Sequence, residues 1–340
     1  MTAWVKAQKN LNADKMKNRP GIFYAKILLF GEYSILCDSM GLTIPYTHFR
    51  GELSFIRDDK YTDLDFAISS NKLLKEYAAY IRTLRDEGTL LCDFNIDAFE
   101  NDINHSLYFE STIPQGYGIG SSGALVAALY EKYVPGHVSG SQRLPKAEIL
   151  KLKEIFSQLE SYFHGTSSGM DPLNCYIKHP LLIHNKKDIC MVGIPRNKHD
   201  EKGAIFLINT GKPGKTGPLV NLFLDNCKID EFMTRVRQEM IPLNDACIKS
   251  LIKGETRKFF DSLRELSGFL YENLSPMIPE TFKKIWRYGL DSRSFYLKLC
   301  GSGGGGFLLG FTDDFDKAKK ELGELNVDII PVYKSLQETL

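Results

Sequence analysis

Pro114-Gln115-Gly116-Tyr117-Gly118-Ile119-Gly120-Ser121-Ser122-Gly123-Ala124 sets four glycines and two serines directly ahead of the apolar run Leu125-Val126-Ala127-Ala128-Leu129-Tyr130. The run consists of helix-compatible residues without a breaker, so the glycine segment reads as a loop that opens a helix. At a helix start the unpaired N–H groups and the positive end of the dipole both face an incoming anion. Glycine lets the backbone close on a phosphate with no Cβ in the way, and a serine there can cap the helix or offer an oxygen to a metal. A turn with an N-cap would account for one serine and one glycine, not for four glycines around two adjacent serines. The segment predicts a phosphate cradle, and with it a nucleotide.

Two other nucleotide-binding patterns occur in the chain. Gly118, Gly120 and Gly123 match G-x-G-x-x-G, as do Gly301, Gly303 and Gly306. A dinucleotide fold needs a strand immediately before the glycines and an acidic residue ~20 positions on, ending a second strand. In this chain Pro114 intervenes, and Glu131 and Glu148 fall in helical sequence. Asn209 to Thr216 ends in the Gly-Lys-Thr of a P-loop, but Asn209 stands where its first glycine belongs. Gly217-Pro218 then follows where the P-loop helix should run on.

The chain has 340 residues, 43% hydrophobic and 25% charged, with a net charge of +1. That describes a globular protein of two domains or one two-lobed unit, without a global field for nucleic acid or an anionic membrane. Any anion site must be local. Seven scattered cysteines without a C-x-x-C read as reduced thiols rather than a disulfide framework or a zinc site. With no apolar leader and no run of membrane-spanning length, the expected location is the cytoplasm.

Along the chain, residues 1–20 read as a polar, basic arm. Strands are expected at Ile22–Phe30, Gly51–Ile56 and Leu90–Ile96, and helices at Asn71–Arg85 and from Pro145 to Phe163. Ser106 to Thr112 leads into the glycine loop. The charged stretch Pro195 to Gly203 is the expected boundary between a first lobe, 21–195, and a second, 196–340. The second lobe reads as a strand at Ala204–Asn209 and helices at Leu219–Arg237 and Glu255–Asn273. Strands at Phe295–Leu299 and from Phe307 flank the glycines, and a helix at Asp313–Leu325 and a strand at Val327–Val332 follow. Strands and helices mix without regular alternation, which favours α+β.

Other residues carry chemistry. Glu160 falls on the last turn of the helix ending near Phe163, poorly placed against the dipole unless a cation rewards it. His164 reads as a helix cap or a site residue, and Asp171, which precedes Pro172, as a turn residue or a functional carboxylate. Lys26 interrupts an apolar strand. It needs a carboxylate or phosphate partner, or else an edge position with its head in water.

Together these segments resemble the GHMP small-molecule kinase superfamily, and within it the mevalonate kinases most closely. Lys26 to Glu32 resembles the family's first motif, a strand lysine followed by Gly-Glu. Pro114 to Ala124 is similar to P-x-x-x-G-L-G-S-S-A-A, with Ile119 for Leu and Gly123 for the first Ala. Lys298 to Phe307 resembles K-x-T-G-A-G-G-G-G, with Cys300 and Ser302 as substitutions. Glu160 and His164 to Asp171 match a Glu followed by H-G-x-P-S-G-x-D, with Ser167 in place of Pro. Tyr33 stands where mevalonate kinases usually have His, and Pro172 where they have Asn; Gly-Glu-Tyr looks more like phosphomevalonate kinase.

The resemblance implies a two-lobed α+β fold with the active site in the cleft between lobes. It implies ATP and Mg²⁺, and phosphorylation of the mevalonate hydroxyl to give 5-phosphomevalonate. Phosphomevalonate kinase or another small-molecule kinase is the alternative, and a non-catalytic binding protein the remote one. By the same resemblance Asp171 is the base and Lys26 its charge partner. Gly116, Gly118, Gly120, Ser121 and Ser122, with Gly303, Gly304 and Gly305, hold the nucleotide. Ser122 and Glu160 hold the metal, and Glu32, His164, Thr216 and Gly304 lie near the small-molecule substrate. No nucleic-acid or membrane partner is implied, and the family leaves room for a homodimer.

Overall fold

A computed structural model describes residues 21–57, 63–140, 143–195 and 202–334. The basic arm and most of the charged stretch after Pro195 lie outside the described residues. Strand β1 (Ile22–Phe30) is followed by β2 (Gly41–Phe55), helices α1 (Leu64–Asp86) and α2 (Ile96–Asn104), β3 (Leu107–Ser111), α3 (Ser121–Tyr133), α4 (Lys146–His164) and α5 (Met170–Ile177). The hairpin β4 (Leu181–Asn185) and β5 (Asp188–Met191) precedes β6 (Ala204–Asn209). Helices α6 (Thr216–Asn226), α7 (Asp230–Arg235), α8 (Ile241–Lys253), α9 (Thr256–Asn273) and α10 (Glu280–Ser292) come next. The described chain closes with β7 (Tyr296–Leu299), β8 (Phe307–Thr312), α11 (Phe315–Glu324) and β9 (Ile329–Lys334). One sheet has the order β1-β2-β4-β5 with β3 also against β2, and the other β7-β8-β6-β9. This is the expected α+β class. Among the described residues no helix is long and apolar enough to cross a membrane.

The chain divides into two compact units that interleave in sequence. The first holds the chain to Ala25, Thr47–Ile113 and Ser122–Lys178; the second holds Lys26–Tyr46, Pro114–Ser121 and the chain from His179. The register of β2 with β3, from Gly51↔Ser111 to Phe55↔Leu107, belongs to the first unit. That of β2 with β4, Gly41↔Ile183 to Thr43↔Leu181, belongs to the second.

In the first unit α3 is buried from Gly123 to Tyr130, which its run of alanine, valine and leucine permits on every face. The apolar stripe of α4 is buried at Ile149, Leu152, Ile155, Phe156 and Leu159, each large side chain contributing about 1.5–3 kcal/mol, while Phe163 at its end is only half-buried. Tyr130, Phe156 and Tyr176 pack edge to face, which fixes α5 against α3 and α4. In the second unit Ser267 on α9 donates to the Leu297 carbonyl at 2.6 Å and accepts from Trp286 Nε1 at 2.9 Å. These bonds seat β7 against α9 and α10.

Three expectations change. Leu90–Ile96 is not a strand: Asn95 caps α2 by accepting from Ala98 N–H at 3.1 Å, and the apolar residues Phe94 and Ile96 enter the core from there. Gly51–Ile56 is only the far end of the fifteen-residue β2. The helix expected at Leu219–Arg237 begins at Thr216 and is interrupted between Asn226 and Asp230, before a π-helical turn at Val236–Met240.

Candidate active site

The phosphate loop has the backbone its glycines predict. Gly116, Gly118 and Gly120 have φ of 76°, 75° and 79°, values a side chain strains to adopt, and α3 begins at Ser121. Glycine is needed there for space as well. A Cβ on Gly118 would stand 2.6 Å from the Cys300 carbonyl oxygen, and one on Gly116 2.9 Å from Pro213 Cβ. Gly214 and Gly305 are as constrained, at 2.7 Å from the Gly303 oxygen and 2.6 Å from the Pro213 oxygen. The segments 114–121, 211–216 and 300–306, all of the second unit, thus meet backbone to backbone.

Lys26 joins this group. Its N–H donates to the Ile119 carbonyl at 2.9 Å, and its Cγ would lie 2.9 Å from a Cβ on Gly120. Although β1 is the edge of its sheet, the loop covers it there. Lys26 is 5% exposed, which removes the alternative of a head in water. In the third motif Gly304 N–H donates to the Met277 carbonyl and Gly306 N–H to that of Lys212, each at 2.6 Å. Ser302 Oγ donates to Thr216 Oγ1 at 3.2 Å, at the first residue of α6. Glu32 is buried, and its Oε1 meets Lys298 Nζ at 2.5 Å. Burial raises the pKa of its carboxyl, with Lys298 opposing.

The first unit carries Glu160 and Asp171. Ser122 Oγ donates to Glu160 Oε1 at 3.0 Å, and Ser167 Oγ to Glu160 Oε2 at 2.5 Å. His164 Nε2 lies 3.1 Å from Ser122 Oγ. A hydroxyl has a single hydrogen, and Ser122 donates its own to Glu160, so the network assigns the donor role at the histidine contact to Nε2. Glu160 is 3% exposed and bracketed by neutral hydroxyls. Those are hard oxygen donors suited to a magnesium ion that completes its shell with phosphate oxygens and water.

Asp171 is half-buried in the first turn of α5, after a left-handed Gly169. Gly123 decides how near it comes to α3. A Cβ there would stand 2.7 Å from Pro172 N and 3.0 Å from Asp171 Cβ. Gly123→Ala is therefore expected to lower kcat and melting temperature together. Overpacking costs about 1–3 kcal/mol, and the atoms that must yield belong to Asp171 and its neighbour. Thermal melts beside steady-state rates check this; wild-type values for both would show that the helices part freely.

The structure thus brings Ser122, Glu160, His164 and, across Gly123, Asp171 together in one unit. It brings Lys26, Glu32, Gly116, Gly118, Gly120, Thr216, Gly303, Gly304 and Gly305 together in the other, and Ser121 ends the loop one residue before Ser122. Sequence reasoning gave no role to Ser167, Lys298 or the Pro213-Gly214 segment. Lys298 was findable, being a lysine in an apolar strand as Lys26 is.

No curated protein matches the sequence. The family described as the GHMP kinases N terminal domain matches residues 78–178, from α1 through the phosphate loop to the end of α5. Solved structures agree over nearly the whole chain. L. major mevalonate kinase in complex with R-mevalonate superposes with a TM-score of 0.59 at 16% identity, covering 94% of this chain and 97% of that one. Lactococcus lactis galactokinase complexed with galactose gives 0.62 at 14%, covering 93% of each. Streptococcus pneumoniae phosphomevalonate kinase in complex with phosphomevalonate and AMPPNP gives 0.58 at 15%, covering 92% and 99%. At these identities the likeness establishes the fold.

Proposed function

We propose that this chain, a member of the GHMP kinases, transfers the terminal phosphoryl group of ATP to the hydroxyl of mevalonate, giving 5-phosphomevalonate. The observation that carries the reading is the Ser122–Glu160–His164 cluster with Asp171 close by across Gly123. Phosphoryl transfer asks mainly for positioning and charge stabilisation. Backbone N–H groups of the phosphate loop, from Gly116 to Ser121, cradle the phosphates. Ser122 and Glu160 hold magnesium, which when bound neutralises charge on the β- and γ-phosphates. Asp171 accepts the proton of the acceptor hydroxyl, and Lys26 steadies the charge that develops. Gly303, Gly304 and Gly305 serve the nucleotide side, and His164 and Thr216 the acceptor.

The acceptor is tested directly by incubating the purified protein with MgATP and mevalonate, phosphomevalonate, homoserine, galactose or shikimate. ADP release with mevalonate supports the assignment. Release with phosphomevalonate alone overturns it in favour of the second reading, which the Gly31-Glu32-Tyr33 sequence favours. Glu160→Gln checks the metal assignment. It is expected to raise the magnesium concentration needed for half-maximal rate while leaving the saturated rate partly intact, because mass action recovers a weakened site. A magnesium titration identical to wild type would remove Glu160 from the metal site.

A further inference from the structure

Tyr33 is held in a conformation a tyrosine rarely adopts. Its φ of 61° and ψ of −49°, with Ser34 N–H donating to the Glu32 carbonyl at 2.7 Å, make a γ-turn of the rare, positive-φ kind. Glycine would take this turn without strain, and the chain uses glycine two residues earlier, where Gly31 has a φ of 111°. Such strain persists where the surroundings over-determine it. The side chain is what the position keeps.

Its surroundings fix that side chain. The residue is 5% exposed, and its ring lies 4.8 Å from that of Phe223 on α6. The phenol donates to the Ser302 carbonyl oxygen at 2.5 Å. Burial, and then the Glu32 charge, push the phenol pKa up, so it stays a donor. On the same turn Glu32 grips Lys298, at the strand that feeds the glycine loop. Residues 32 and 33 therefore hold that loop before its start and within it.

The bond within it has a directional consequence. The Ser302 C=O and the Gly303 N–H belong to one planar trans peptide unit and point in opposite directions. Gly303, with a φ of 75° and no Cβ, resists a flip of that unit less than any other residue would. Pinning the Ser302 oxygen on Tyr33 pins the Gly303 N–H the other way. We infer that Tyr33 is a positioning residue that locks the Ser302–Gly303 peptide against flipping and so presents the Gly303 N–H in one orientation to the nucleotide. The lock stands on its own; its service to the nucleotide rests on the kinase reading above.

Tyr33→Phe keeps the ring and the turn and deletes only the donor. Amide hydrogen exchange over residues 300–306, read on the full chain without nucleotide, is expected to quicken about tenfold, the factor one buried hydrogen bond contributes, with protection elsewhere unchanged. Tyr33→Gly, which relieves the strained turn, is expected to loosen the segment at least as much. With MgATP, Tyr33→Phe is expected to raise KM, by up to about tenfold, at unchanged kcat, because nucleotide binds only the fraction with the unflipped peptide. A merely structural role would lower kcat through lost folded enzyme and leave KM alone, and that result overturns the inference. So does unchanged exchange in Tyr33→Phe, or wild-type protection in Tyr33→Gly. Faster exchange in a protein that turns over no acceptor supports the lock and removes only the kinase reading.

Discussion

Asp171→Asn is expected to lower kcat by at least ~10²-fold, the usual worth of a general base, while nucleotide affinity and melting temperature stay near wild type. Asparagine keeps the size of the side chain and most of its hydrogen bonding but cannot take the acceptor's proton. The structure bounds the stability at stake. Asp171 lies in the first turn of α5, where a carboxylate meets the helix dipole favourably by about 0.3–1 kcal/mol. If it were only a turn residue, the variant would melt earlier and turn over normally. Measuring kcat, nucleotide affinity and melting temperature on one preparation separates the two, and a folded Asp171→Asn enzyme with unchanged kcat would end the mechanism.

Where local rules sufficed, the elements were legible. The apolar run Ile22–Phe30 and the alternation around Tyr296–Leu299 are strands, and the stripe on α4 lies in the core, because periodicity and burial agree there. Leu90–Ile96 misled because alternation over a few residues is also what a helix cap produces when one neighbour on each side is buried: Asn95 caps while Phe94 and Ile96 go inside. Among candidate site residues, the left-handed backbone of Gly116, Gly118 and Gly120 was readable from glycine density alone. Ser167 was not, since its service to Glu160 depends on the turn after α4. Asp171 carried two readings because Asp-Pro marks turns and helix starts alike, and only the approach of α3 at Gly123 shows what it faces. The role of Glu32 was the least legible. Its partner Lys298 lies far along the chain, and long-range pairing leaves no periodic trace.

That pair carries the largest stability effect. Lys298 is fully buried and Glu32 nearly so, and Lys298 Nζ also lies 5.0 Å over the Phe30 ring. Lys298→Met leaves a carboxylate in a dry interior and is expected to cost about 3–5 kcal/mol, whereas adding Glu32→Leu restores most of it, because an apolar pair of similar volume is often as stable as a buried ion pair. The effect has a pH signature. Burial holds the Glu32 carboxyl above its usual 4.5 while Lys298 pulls it down, so removing Lys298 leaves the upward push unopposed. A group whose folded pKa is raised binds its proton more tightly in the folded chain than in the unfolded one. Its contribution is fully present below the unfolded value and is lost as pH rises through the folded one. The deficit of Lys298→Met relative to wild type therefore shrinks as pH falls toward 4.5, and the double variant shows no such trend. Urea midpoints across that range decide it. A single variant as stable as wild type at neutral pH, or a deficit that widens in acid, would mean that Glu32 draws its stability from some other contact, and that the first and third motifs are not joined by this charge.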